Sequence, residues 1–436
     1  MERELAAESQ KNNKKFTRYI KSKTKNSTTI GPLQKQDGSR TTDDKEMAEI
    51  LNKQFSSVFT KESNSDMPVL DREGLGNLDK IRITEQDIRK QIRKLRADAA
   101  PGPDGITPRL LKDIEASVAV PLTLIFRKSL KEGRIPTDWK LATVVPIFKK
   151  GQKKEAANYR PVSLTSIPCK MLESIIKEHI MTHMEENGLI RDSQHGFMPG
   201  KSCATNLILT LEYLTKAVDK GYPVDLVYLD FSKAFDKVPH RRLLEKTRAK
   251  GIGGDVLIWL EDWLRNRKQK VRVNGAESEE ADVESGVPQG TILGPCLFDI
   301  YIDNIDECTL NLTEIKKFAD DTKVYRIVNS LVDREKLQKA LDNLCSWTAK
   351  WGMEFNTAKC KVMHIGNHNP QHQYMMNGQY LGTTESERDL GIIIDKSLKP
   401  SAQCKKAAAK AKIVLSQITR NFHYRDRKYF LNLYKQ

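Results

Sequence analysis

Asp320 and Asp321 stand side by side between two apolar, β-branched runs, EIKKF (314–318) and TKVYRIV (322–328). Adjacent side chains of a regular strand face opposite ways, which would keep the two carboxylates apart. At the turn of a hairpin both reach one solvent-facing point, where they repel unless a cation lies between them. A polar turn without chemistry has the same sequence. A third acid, Asp230, ends the run VDLVYLD, so that an apolar strand delivers a carboxylate at its exit. Three carboxylates suffice to hold two magnesium ions about 4 Å apart, one activating a hydroxyl and one stabilising a leaving pyrophosphate. Periodicity alone does not bring Asp230 to the Asp320–Asp321 pair.

A second chemical feature is SGVPQGTILGP, in which Gly286, Pro288 and Gly290 make a loop ahead of a helix. Glycine lets backbone approach a nucleotide closely, and a helix N-terminus offers free N–H groups. Gln289 adds an amide able to bond an incoming nucleotide or a template strand. An ordinary Gly/Pro loop reads the same way. Cys360, His364, His368 and His372 recur every four residues, the spacing of one helix face and of a zinc site. Gly366 and Pro370 interrupt that helix, so the run is expected to be a surface loop.

Several elements are expected around these residues. Residues 1 to 21 read as a basic helix, and 43 to 59 as a helix with Met47, Ile50, Leu51 and Phe55 on one face. KESNSDMPVLDREGLGN reads as a linker. Thr84 is placed to cap a helix, with Asp87 at the capping-box position and Ile88, Ile92 and Leu95 as its stripe. LATVVPIF (141–148) and VDLVYLDF (224–231) read as strands, residues 333 to 351 as an amphipathic helix, and 402 to 436 as a basic helical tail. The order of elements suggests an α+β protein with an antiparallel sheet flanked by helices.

Composition narrows the partners. The 436 residues carry 73 Lys and Arg against 57 Asp and Glu, a formal charge of +16. Eleven basic side chains and one acid lie between Lys396 and Gln436, eight and three in the first 25 residues, and ten and four from Arg241 to Arg272. Three such clusters favour a polyanionic partner that releases counterions on binding, although each one also suits a solvated surface. Seven scattered cysteines without a C-x-x-C pair argue for a reducing compartment. No stretch reaches the length of a membrane span, and MERELAAESQKNNKK lacks the apolar core of a secretory signal.

From about residue 92 the sequence blocks run APGPDGITPRLLK, WKLATVVPIFKKG with NYRPVSLTSIPCKMLE, QHGFMPGKSC, VYLDFSKAFDKVPH, SGVPQGTILGPCLFDIYIDNI, FADD, NTAKCKVM and ERDLGIIID. In this order they resemble the reverse transcriptase of non-LTR, LINE-type retrotransposons of the jockey-like kind. The resemblance implies an α+β right-hand polymerase fold with fingers, a palm built on an antiparallel sheet, and a partial helical thumb. Residues 1–80 would be a basic extension and linker, 81–394 fingers and palm, and 395–436 a truncated basic thumb segment.

The implied activity is RNA-directed DNA polymerisation, extending a DNA primer on an RNA template with dNTPs, as part of retrotransposition inside the cell, in nucleus and cytoplasm. The implied cofactor is a pair of Mg²⁺ ions, with Mn²⁺ as a substitute. Asp230 and Asp320 would be the principal metal ligands and Asp321 the third acid. Phe235 matches an aromatic gate that collides with a 2′-hydroxyl. Phe231, Gln289 and Gly290 fall in the same nucleotide site, and Asp236 beside them suits a turn or cap. Lys149 (or its neighbour Lys150) and Arg160 match positions that hold the triphosphate, and Lys359 one that protonates departing pyrophosphate. Similar proteins carry an endonuclease-like domain and continue past YFLNLYKQ, so a fragment or a degenerate copy is expected. Two alternatives stand beside this reading. One is a group II intron-type maturase, disfavoured by FADD and NYRPVSL. The other is a nucleic-acid-binding remnant without catalysis, disfavoured by the intact acids.

Overall fold

The computed structural model describes residues 29–62, 67–68, 70–71 and 76–421. The expected basic helix through Lys21, part of the linker and the tail beyond residue 421 lie outside the described residues. Helix α1 (Asp44–Ser56) starts where Asp43 accepts from the Glu46 amide at 2.7 Å, and it buries Met47, Leu51 and Phe55. Helix α2 (Glu85–Lys94) opens on the expected capping box. The Asp87 amide donates to Thr84 Oγ1, and the Thr84 amide donates to the Asp87 carboxylate. Its stripe, Ile88 and Ile92, is fully buried and packs towards α3 (Glu115–Glu132).

Two sheets follow. Strands β1 (Leu141–Phe148) and β2 (Tyr159–Leu164) form a hairpin with Phe148 opposite Tyr159 and Ile147 opposite Arg160. Helices α4 (Ile167–Glu186) and α5 (Cys203–Asp219) lead to β3 (Val224–Leu229). Helices α6 (His240–Ala249) and α7 (Gly254–Leu264) then bring the chain back to β4 (Arg267–Val273), which runs parallel to β1. Helix α1 packs against β4 and so belongs with this first sheet.

After helix α8 (Leu293–Ile302) come β5 (Glu314–Phe318) and β6 (Asp321–Ile327), the two arms expected around the acid pair. Helix α9 (Leu331–Trp351) and β7 (Lys361–Ile365) complete the second sheet, whose order is Gly382–Thr383, β7, β3, β6, β5. The pairings between β7, β3, β6 and β5 are all antiparallel. Strand β3 lies at the middle, and VDLVYL is almost continuously apolar because both of its faces are covered. Its one acid, Asp225, is fully buried. It accepts from Asn369 Nδ2 at 2.8 Å and the Tyr374 hydroxyl at 2.7 Å, and it meets His364 Nδ1 at 2.7 Å. The Cys360–His372 run is therefore not wholly the surface loop that was expected. Its first half is a sheet strand, with Cys360 buried and His364 spent on Asp225.

The Arg241–Arg272 cluster also differs from its expected role as surface charge. Arg242, Lys246, Lys250 and Arg267 are all buried. Arg242 pairs with Glu62 at 3.0 Å and Lys250 with Asp303 at 2.6 Å. Lys246 enters a cage formed by Tyr301, Trp347 and Trp351, its ammonium 3.8 Å from the Trp351 ring centre, and donates to Asn304 Oδ1 at 2.6 Å. Charges that read as solvated in sequence are thus desolvated here because each found a carboxylate, a carbonyl or an aromatic face.

The chain divides into two compact units, residues 31–384 and the remainder. The described part of the second unit holds a hairpin of β8 (Ser386–Asp389) and β9 (Ile392–Asp395), then helix α10 (Ser401–Asn421). Gln403 accepts from the Ile393 amide at 3.1 Å and ties helix to hairpin. Of the expected stripe on α10, Ile418 is buried, Ala411 and Val414 are half-buried, and Ala407 and Leu415 are exposed. Among the described residues no helix is long and apolar enough to cross a membrane.

Candidate active site

The middle strand delivers Asp230 directly after Leu229, which is paired with Thr322. Continuing that register sets Asp230 beside the start of β6, where Asp321 is paired with Phe318. The hairpin loop is consequently just Ala319 and Asp320. Ala319 has φ +54°, a left-handed conformation costing a non-glycine residue roughly 1–2 kcal/mol. The backbone of Asp230 is gripped from the other side by a segment 130 residues later. Its carbonyl accepts from the Asn356 amide at 2.7 Å, and its amide donates to Cys360 Sγ at 3.4 Å. Sequence reasoning missed this support, since Cys360 carries no local signal of touching Asp230.

Charges of both signs gather here. Burial pushes the Asp320 carboxyl above its ordinary value; Arg160 and Lys149 pull it down, and Asp230 pushes it further up. The Lys149 ammonium is lowered, chiefly by burial, then by Arg160 and Lys359, while Asp230 opposes the shift. Lys359 Nζ donates to Asp230 Oδ2 at 3.4 Å. Arg160 and Lys149 come from the loop end of the β1–β2 hairpin, where the Lys149 amide donates to the Asn158 carbonyl at 2.9 Å. Asp230, Asp320, Lys149, Arg160 and Lys359 therefore share one locality. Asp321 is exposed at the first position of β6, next to them in sequence and register.

A second wall adjoins this cluster. Phe235 stacks on Phe298, ring centres 4.4 Å apart, and remains half-buried. Gln289 Nε2 donates to Asp236 Oδ1 at 3.3 Å. Burial pushes Asp236 up to about 6, with Lys233, Gln289 and Arg160 restraining the rise. The glycine loop is fitted onto this turn. The Val287 amide donates to the Phe235 carbonyl at 2.8 Å, and a Cβ on Gly286, whose φ is +88°, would stand 2.6 Å from that same oxygen. Gly290, with φ +110°, lies as close to the Ser163 carbonyl.

Two expectations need correction. The N-terminus of α8 does not present free N–H groups: the Ile292 and Leu293 amides donate to the buried Glu173 carboxylate at 2.7 and 3.3 Å, and the Gly294 amide to Thr291 Oγ1. Phe231 does not line the site either. It is buried against Phe355, ring centres 4.4 Å apart, because an odd step along the chain turns it to the opposite side from Asp230.

The donor set bears on a metal. Among the described residues no three His, Cys, Asp or Glu side chains close around one point. Asp230 and Asp320 nevertheless place two mutually repelling carboxylates at the mouth of the site. Hard oxygen donors with positions left open suit Mg²⁺ or Mn²⁺, which take the rest of their ligands from water and substrate phosphates.

The neighbouring strands β3 and β6 of one sheet thus bring acids together at their ends, with a basic hairpin and a glycine loop close by. The description of the reverse transcriptase (RNA-dependent DNA polymerase) family matches residues 148–389, more than half of the chain, and the chain belongs to that family. Within it, the chain is 29% identical over 325 residues to the RNA-directed DNA polymerase from mobile element jockey of Drosophila funebris, covering 72% of this chain and 35% of that protein. It is 28% identical over 327 residues to the jockey protein of Drosophila melanogaster, with the same two shares. The probable RNA-directed DNA polymerase from transposon BS of Drosophila melanogaster is 27% identical over 328 residues, or 72% of this chain and 36% of that protein. The expected resemblance to jockey-like elements is borne out, and the chain spans about a third of the length of these curated relatives.

Proposed function

We propose that the chain is the polymerase core of a non-LTR retrotransposon reverse transcriptase, extending a DNA primer on an RNA template. The observation that supports this reading is the strand register that sets Asp230 beside the Ala319–Asp320 turn, with Lys359 donating to Asp230 at 3.4 Å. In this proposal the acid-bearing sheet is the palm, the β1–β2 hairpin belongs to the fingers, and residues 395–436 form a partial thumb. Asp230 and Asp320, with Asp321 as third acid, would hold the metal pair, which when bound lowers the charge cost of joining a 3′-hydroxyl to an α-phosphate.

The protein's own groups then have separate tasks. Arg160 grips phosphate oxygens with its planar fork, and Lys149 adds a point charge. Lys359, held at the acid cluster by Asp230, is placed to give a proton to the departing pyrophosphate. Phe235 stands where a 2′-hydroxyl would collide, and Gln289 and Gly290 shape the wall facing the base. The test is primer extension on poly(rA)/oligo(dT) with Mg²⁺. Deoxynucleotide addition by the parent chain, lost in Asp320→Asn, is the expected result. Template–primer binding without extension would overturn the reading and leave a nucleic-acid-binding remnant.

A further inference from the structure

The hairpin loop carrying Asp320 is not held by its own sheet alone. The segment Ser193–Gly196 docks along β5: the His195 amide donates to the Lys317 carbonyl at 2.9 Å, and the Lys317 amide to the Ser193 carbonyl at 2.8 Å. This docking carries the buried Gln194 side chain to the loop itself. Gln194 Oε1 accepts from the Ala319 amide at 3.0 Å and from the Gly196 amide at 2.8 Å. Gly196 lies so close that a Cβ would run into the Ala319 nitrogen. Ala319 is the left-handed residue immediately before Asp320.

Gln194 also lines a small cavity of about 10 Å³, together with Asp299, Met181, Met198 and Cys296 among others. Gln194 Nε2 and both Asp299 carboxyl oxygens are buried and have no hydrogen-bond partner among the described residues.

We propose that Gln194 is a positioning residue for Asp320, its amide oxygen fixing the Ala319–Asp320 loop. The role of Asp320 as metal ligand belongs to the reading above; the clamp on its loop is independent of it. A glutamine suits the task because one side-chain oxygen accepts two N–H groups. Without the acceptor, the strained loop relaxes and the carboxylate it carries leaves its place.

Two substitutions separate the acceptor from mere packing. Gln194→Met keeps the length and removes the acceptor; Gln194→Glu, made together with Asp299→Asn so that no second carboxylate shares the cavity, keeps it. For the methionine variant we expect primer extension to fall about 10- to 100-fold, the usual cost of losing a group that orients a ligand, with the Mg²⁺ concentration for half-maximal rate raised and template–primer affinity unchanged. The glutamate variant should recover most of the rate. Amide hydrogen exchange over Lys317–Asp321 should accelerate in Gln194→Met and remain slow in Gln194→Glu, and this readout needs no activity. Should Gln194→Met not fold, Gly196→Ala pushes on the same nitrogen and should give the same raised Mg²⁺ requirement. A methionine variant with parental exchange and Mg²⁺ dependence would overturn the clamp. A parent chain that extends no primer but shows the exchange difference would leave the clamp standing and remove the polymerase reading.

Discussion

Asp236 illustrates what burial does to a single carboxyl. Its value of about 6 means the folded protein holds the proton more tightly than the unfolded chain does. The stability it contributes is therefore full at acid pH and is lost as pH rises from the ordinary carboxylate range through about 6. The loss is at most ~3 kcal/mol, less where solvent reaches the group. Asp236→Asn should accordingly raise Tm over the parent at pH 7.5 and leave it nearly unchanged at pH 4, and equal gains at both would sink this account. Asp320→Asn should lower primer extension by more than about 100-fold, beyond the cost of losing a group that merely orients a ligand. Phe235→Ala should admit ribonucleotides, read as the ratio of dNTP to rNTP incorporation; an unchanged ratio in an active variant would make the ring only a partner of Phe298. At this scale the acids were legible, because apolar strands ending in carboxylates are a local pattern. The inward turn of Phe231, the burial of Asp236 and the grip of Gln194 were not, since each depends on side chains remote in sequence.

Helix α8 and the loop before it form the element on which the second wall depends. Glu173 ties three parts together, accepting from the Ile292 and Leu293 amides and from Trp263 Nε1 at 3.2 Å. Glu173→Ala would strand these donors in the interior, at about 1–3 kcal/mol for the first and more as others follow. A fall in urea midpoint of that size is expected; a near-neutral result would show that water replaces the carboxylate. Hairpins were read closely from sequence, with EIKKF and its partner strand falling within a residue or two of β5 and β6. Alternating patterns bounded by turns are local, and so is the capping box of α2. The cap on α8 was invisible because its acceptor sits 119 residues upstream. The buried cations of 241–272 misled for the same reason, as composition counts charges without their partners.

For the whole molecule, charge placement matters more than charge total. With Arg242, Lys246, Lys250 and Arg267 committed to the interior, less of the +16 is available to a phosphate backbone than composition suggests. Helix α10 differs: Lys405, Lys406, Lys410, Lys412 and Arg420 are all exposed, and it holds no acid. Deleting residues 402–436 should weaken template–primer binding alike for all sequences. It should also flatten log K against log[salt] by about one unit for each phosphate that is no longer neutralised, as followed by fluorescence anisotropy across a KCl series. Nucleotide selectivity should survive; an unchanged salt slope would make the tail a solubilising face. Another consequence concerns time. Asp225, at the start of the strand that ends in Asp230, receives its Tyr374 hydroxyl bond from a residue synthesised 149 positions later. At roughly 5–20 residues per second that is an interval of about 7–30 s. Until β7, Asn369 and Tyr374 follow, the middle strand lacks its partner on one edge and its buried carboxylate lacks its donors, so the acid-bearing sheet is among the last parts of this unit to be finished.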